Sequence, residues 1–217
     1  MQVEALSQLL LQGLWETVLM VTVSTVIALA AGIPLGVLVL VTGPGNLWPR
    51  RWLHQGLSAL VNVGRSLPFI ILMVAIIPFT RLVTGTSIGT AAAIVPLSVA
   101  AVPFVARVVE SALAEVDRGV VEAALAMGAS PFMVIRRVLL PEARPALVLG
   151  ATITAISLVG YSAMAGAIGG GGLGDLAIRY GYQRFETEVM VLTVILLLGL
   201  VGLLQWTGDR LARRFRH

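Results

Sequence analysis

The side chains able to do chemistry in this 217-residue chain are few and unevenly placed. Cysteine is absent, which removes disulfides, thiol nucleophiles and cysteine-based metal sites together. The two histidines, His54 and His217, lie far apart in charged stretches, so no metal site is expected. All fifteen cationic side chains are arginine; lysine is missing. A phosphate-binding loop of the G-x-x-x-x-G-K-[ST] type requires that lysine, so if ATP drives this protein another chain hydrolyses it. Gly169, Gly171 and Gly174 formally match the G-x-G-x-x-G of dinucleotide-binding turns. They follow an apolar helical run rather than a strand, so the match is discounted. No Cys, His or paired-carboxylate constellation falls within the apolar segments, which argues against a membrane enzyme.

What remains is binding chemistry. Arg65, with Asn62 and Ser66 beside it, interrupts an otherwise apolar run and suits a substrate carboxylate in dry surroundings; an interfacial or packing role is the alternative. Thr154, Ser157, Tyr161 and Met164 recur at intervals of three, four and three residues, which places them on one helix face. One reading is a translocation-pathway wall in which Tyr161 and Met164 form a polarisable gate near the outer end. The other is close helix packing, since Gly150, Thr154 and Ser157 are the small and hydroxyl residues that let membrane helices approach. Glu110, Glu115, Asp117 and Arg118 make a mixed charged patch, read as a solvated face or a partner's rim.

The elements that must carry these residues are apolar. Hydrophobic residues make up 58% of the chain and charged residues 12%, and the mean hydropathy is +0.95. A span needs roughly 20 mostly apolar residues. Charge-free runs at 17–49, 82–106, 145–174 and 189–208 each hold one, and a fifth lies at 57–80 around Arg65. The expected spans are 14–41, 57–80, 87–108, 146–167 and 189–206, an all-α integral membrane fold. The first run is not read as a cleaved signal peptide, because Glu4 and Glu16 precede or enter it without a basic residue and it continues far past Ala28-Leu-Ala30.

An odd number of spans puts the termini on opposite sides. The basic tail with Arg210, Arg213, Arg214 and Arg216 belongs in the cytoplasm by the positive-inside rule, leaving the N-terminus outside. That choice also places Arg50, Arg51, Arg107, Arg118, Arg136, Arg137 and Arg144 inside, and only Arg81, Arg179 and Arg184 outside.

One inside stretch, within 118–142, is more than a connection. Glu122 to Met127 is rich in helix formers, and Gly128 suits the left-handed residue just past a helix end. Ser130 reads as an N-cap, Pro131 as the first helical residue, and Pro141 as the limit of the second helix. Phe132, Ile135 and Leu139 fall on one face beside Arg136 and Arg137. Such a face either docks on a partner or lies on the bilayer, and periodicity leaves both open.

The stretch resembles the E-A-A, three residues, Gly, nine residues, I-x-L-P loop of ABC importer permeases. Glu122, Ala123, Ala124, Gly128, Leu140 and Pro141 match, with Val138 where Ile is usual. Similar hallmarks run through most of the chain, at Asn62 to Ile71, Ile77 to Arg81, Gly85 to Gly89, Ala93 to Leu97, Pro103 to Arg107 and Gly160 to Met164. Together they resemble most the methionine-importing branch, whose Gly-Ala-Gly-Gly-Leu-Gly is here Gly169 to Gly174 with one further Gly.

The resemblance implies a type I importer permease of a single domain, 1–217, in the bacterial inner membrane. In it Glu122, Ala123, Ala124, Gly128, Ser130, Pro131, Leu140 and Pro141 form the coupling helix seated on an ATPase subunit. It also implies two ATP-binding subunits carrying ATP and Mg, a second copy of this chain, and a periplasmic or lipoprotein substrate-binding protein facing the glycine-rich loop. No cofactor on this chain and no nucleic-acid partner is implied. The alternatives are a permease for another amino acid, a betaine or a phosphonate, or an autonomous secondary carrier, which would need buried coupling-ion sites.

Overall fold

The computed structural model describes residues 3–215; Arg216 and His217 of the expected basic tail lie outside them. Among the described residues the chain is a helical bundle without strands. Its long helices are α1 (Val3–Thr42), α5 (Thr90–Ala114), α9 (Arg144–Gly166) and α11 (Thr187–Arg213). Between them lie α2 (Arg51–Ser66), α3 (Phe69–Ala75), α4 (Ile77–Thr84), α6 (Arg118–Ala126), α7 (Pro131–Val134), α8 (Leu140–Glu142) and α10 (Gly172–Leu176). A π-helical stretch, Ile135–Leu139, joins α7 to α8, and another, Ala177–Tyr182, continues α10.

Four helices are long and apolar enough to cross a bilayer, and five spans result if the bent pair α2–α3 counts as one. The 57–80 run is therefore not the straight helix that hydropathy implies. Pro68 is the cause. It has no N–H to donate and it forces Leu67 into an extended conformation (φ −78°, ψ 126°), so the chain turns by 103° between α2 and α3. α1 departs in the other direction. It runs for 40 residues without a break at Pro34, about 60 Å at 1.5 Å per residue, so it exceeds a roughly 30 Å hydrocarbon layer by a wide margin.

The core forms where α1 lies along α5. Side chains at Gly32 and Gly36 would strike Val105 Cβ at 2.6 Å and the Ala106 carbonyl oxygen at 2.5 Å, so the two small residues, one turn apart, are what let the helices touch. Met20, Leu97, Val105, Leu113 and Leu158, all almost fully buried, fill the space among α1, α5 and α9. α11 packs on the outside of α9 and leaves Val191, Ile195, Leu198 and Leu203 exposed, as a surface bathed in lipid requires.

Candidate functional site: the 118–142 segment and the two ends of the bundle

The 118–142 segment is a rigid bracket at one end of the bundle. Asp117 caps α6 by accepting the Gly119 N–H at 2.6 Å. The end of α6 closes with two reverse bonds, Ala129 N–H to Ala124 C=O (3.1 Å) and Gly128 N–H to Leu125 C=O (2.9 Å). This closure needs a left-handed residue, and Gly128 supplies it at φ +86°. Ser130 then caps α7, its hydroxyl accepting the Met133 N–H at 3.3 Å, with Pro131 at the first helical position. The Gly128 closure and the Ser130–Pro131 start follow the sequence-based expectation; Asp117, read there as part of a charged patch, is here a cap.

Two others do not. Pro141 does not stop the second helix. The Leu140 N–H reaches back five residues to the Ile135 carbonyl, and the resulting π turn accommodates the proline ring within a continuing helix. The helix ends at Glu142, and Ala143, a single turn residue bonded to the Leu139 C=O (3.0 Å) and accepting the Leu147 N–H (2.9 Å), joins it to α9. The expected face of Phe132, Ile135 and Leu139 is also divided. Val134 and Leu139 are buried with Ala124 and Ala143 in the main core, whereas Phe132 is 70% exposed and Met127 83% exposed. The π turn adds a residue to the turn and so rotates the face, which periodicity of 3.6 does not foresee.

The outward surface of the bracket therefore presents Glu122, Ala123, Met127, Gly128, Ser130, Pro131 and Phe132, while Leu140 and Pro141 are half-buried at its root. Glu122 and Arg118 also border a cavity of about 370 Å³ against the loop that follows α1. That loop is held by Asn46 Nδ2 donating to the Leu40 carbonyl (2.7 Å) and by His54 Nδ1 against the Val39 carbonyl (3.0 Å).

At the far end of α9, Tyr161 stacks on Phe69 of α3 with ring centroids 4.7 Å apart and planes within 6°. Met164 is exposed and Ser157 half-buried on the same side. Thr154 does not join them. It is 1% exposed, its hydroxyl donates to the Gly150 carbonyl of its own helix (2.8 Å), and its packing role prevails within this subunit. Asn62 and Arg65 are exposed on the last turns of α2, just before the bend.

The sequence reading missed a clamp. Glu16 of α1 accepts the Gly172 N–H through Oε2 (2.7 Å), and Thr17 accepts the Leu173 N–H (2.9 Å), so two side chains of one helix satisfy the free N–H groups that open α10. Gln12 supports the carboxylate by donating to Oε1 at 3.0 Å. Positive φ at Gly171 (+78°) and Gly172 (+77°) lets the backbone approach. The signal was present as a lone acid in an apolar run, which requires a partner. Glu16→Ala is expected to cost about 1–3 kcal/mol by orphaning the Gly172 donor, with Glu16→Gln near wild type because an acceptor remains. Thermal unfolding of the detergent-solubilised protein checks this; equal melting of the two variants would contradict it.

Against known proteins, residues 32–217 match the family described as the binding-protein-dependent transport system inner membrane component. A probable D-methionine transport system permease protein of Vibrio cholerae is 54% identical over 211 residues, covering 97% of this chain and 94% of that protein. The D-methionine transport system permease protein of Escherichia coli K12 is 55% identical over 163 residues, 75% of each chain. Among solved structures, a chain of the MetNI methionine ABC transporter in an inward-facing conformation superposes with a TM-score of 0.98 at 51% identity, covering both chains completely. An amino acid ABC transporter at 18% identity and TM-score 0.79 shares the fold alone. With the family matched over most of its length, this chain belongs to the binding-protein-dependent transport system inner membrane components, the permeases of ABC importers.

Proposed function

We propose that the chain is a single-domain permease subunit that imports methionine or close analogues across the bacterial inner membrane. The observation that carries this reading is the full-length superposition on the permease chain of a methionine ABC transporter at 51% identity. Two copies of the chain work with two ATP-binding subunits, which hold ATP and Mg, and with a substrate-binding protein that delivers the ligand from outside. The C-terminus and the 118–142 bracket lie in the cytoplasm; a C-terminal reporter active only on the outer side would refute that orientation.

The bracket has the properties a coupling element requires. Its exposed rim, from Glu122 and Ala123 through Met127, Gly128, Ser130, Pro131 and Phe132, offers apolar side chains for the ATPase subunit to cover. Its inner side, with Ala124, Val134 and Leu139, is fixed in the core, and the root at Leu140 and Pro141 leads through the single turn residue Ala143 into α9. A displacement applied at the rim is thus carried along α9 to Tyr161 and Met164 at the other end, where Met164, Tyr161 and Ser157 border the pathway and the first two form its outer gate. Because the chain has no cysteine of its own, Tyr161→Cys and Met164→Cys can be tested without background. Both are expected to react with membrane-impermeant thiol reagents at rates that change at least severalfold with ATP, and rates indifferent to ATP and substrate in both would remove the gate assignment.

The function is tested in proteoliposomes holding the permease with its copurified ATPase. ATP- and binding-protein-dependent uptake of labelled methionine is expected, displaced by unlabelled methionine. Uptake of another amino acid, a betaine or a phosphonate in its place would transfer the reading to that substrate, and uptake without an ATPase would point to a secondary carrier.

A further inference from the structure

At the bracket end of the bundle, the last turn of α2, the C-terminal half of α5 and the first turns of α9 border an open cavity of about 390 Å³. That lies within the ~300–1,000 Å³ range of small-molecule sites. Its lining is unlike the lipid-facing surface. Arg65 enters from α2 and Arg107 from α5, a carboxylate is present at Glu115, and the walls between them are apolar, from Phe104, Leu149 and Ile153. Two cations, one anion and an apolar wall are the complement of an amino-acid zwitterion: guanidinium groups for the carboxylate, Glu115 for the ammonium and the wall for the side chain.

Arg107 is half committed already, since one of its N–H groups donates to Glu110 at 2.7 Å. A guanidinium has five donors, so this bond orients Arg107 while leaving others free for a ligand. Arg65 has no such partner among the described residues and is exposed at the helix end. The cavity is open on one side, as a site for release rather than retention requires.

We propose that this cavity is a transient amino-acid site on the cytoplasmic side of the pathway, in which Arg65 and Arg107 hold the carboxylate of the departing substrate and Glu115 its ammonium. The inference rests on the importer reading and deepens it: it adds Arg107 and Glu115 to Arg65 as substrate-contacting residues and places them beyond the outer gate.

The test uses the intact permease–ATPase complex in proteoliposomes, with photo-methionine, the diazirine analogue of methionine, as the probe and peptide mass spectrometry as the readout. Label is expected on peptides containing residues 104–115 or 146–153 of this chain. Excess methionine suppresses it, and methionine methyl ester and N-acetylmethionine, which lack one charge each, suppress it about tenfold less well. Arg65→Gln and Arg107→Gln each lower the labelling of these peptides about tenfold, and Arg65→Lys restores part of it. Labelling confined to other segments, labelling unchanged in both glutamine variants, or equal competition by the ester overturns the site. Methionine uptake measured in the same vesicles separates the two levels. If wild-type vesicles import methionine while these peptides stay unlabelled, the site alone falls; if they import none, the methionine reading falls and the site with it.

Discussion

Gly128→Val is expected to uncouple ATP hydrolysis from uptake while leaving the protein inserted in the membrane. Gly128 sits at φ +86°, a region that L side chains enter at a cost of about 1–2 kcal/mol and β-branched ones at more. Nothing lies within 4 Å of the place a Cβ would occupy, so the penalty comes from the backbone and not from crowding. To escape it, the chain must give up the bonds from Ala129 to Ala124 and from Gly128 to Leu125. Those bonds fix the angle between α6 and α7, and hence the relative position of Glu122 and Phe132 on the surface proposed above to meet the ATPase. The spans do not depend on this turn, so insertion and assembly of the bundle persist. Uptake per ATP hydrolysed is expected to fall at least about tenfold in proteoliposomes. Gly128→Asn, whose side chain tolerates the left-handed region, should retain most coupling, and Gly128→Ala should fall between. A valine variant that transports at the wild-type ratio would count decisively against the bracket as the coupling element. Glu122 provides the chemical counterpart, because its carboxylate is exposed on the same rim and its replacement alters the surface without straining the turn.

A large loss of stability is expected from Gly174→Ala. A Cβ there would lie 2.5 Å from the Ala163 carbonyl oxygen and 2.8 Å from its carbon, and both are backbone atoms of α9 that cannot rotate away. α10 would have to lift off α9, withdrawing Leu173 and Leu176 from the cluster they share with Leu6, Leu10 and Val189. It would also strain the clamp from Glu16 and Thr17. Overpacking of this kind costs about 1–3 kcal/mol, occasionally more, which for a chain of this length corresponds to a fall of roughly 2–12 °C in melting temperature. Gly199→Ala is the internal control, because its Cβ would meet nothing within 4 Å and alanine favours a helix. Thermal unfolding of both variants in the same detergent distinguishes them; indistinguishable transitions would show that α10 is not seated as described.

The features that could be read without coordinates share one property: each is set by residues close together in the chain. Runs of some twenty apolar residues announce α1, α5, α9 and α11, since the need to satisfy backbone hydrogen bonds in hydrocarbon leaves little but a helix. Gly128, Ser130 and Pro131 were legible as turn and cap because their preferences act over three or four residues. The bend before α3 also has a local cause, Pro68, but hydropathy averaged over 57–80 conceals it. Pro141 misled for a similar reason: proline ends helices on average, and only the actual path of the chain shows that a π turn takes up the ring.

For the candidate site the division is sharper. Residue types and spacing sufficed to single out Glu122 to Pro141, and with the family resemblance to assign the coupling role proposed for them. The Thr154, Ser157, Tyr161 and Met164 stripe was correct as a helical spacing. Periodicity alone cannot say which side of a membrane helix meets protein, because buried and lipid-facing sides are both apolar. Tertiary packing put Thr154 inside and stacked Tyr161 on Phe69.

The sequence by itself determined that the chain lives in a membrane, that it cannot hydrolyse ATP through a phosphate-binding loop of its own, and that one loop between spans folds into short capped helices. Only the tertiary structure decided that Glu16 and Thr17 hold Gly172 and Leu173 across 156 residues, and that Arg65, Arg107 and Glu115 border one cavity. The physical reason is that local propensity and hydropathy act along the chain, whereas these contacts depend on where whole helices come to rest against one another.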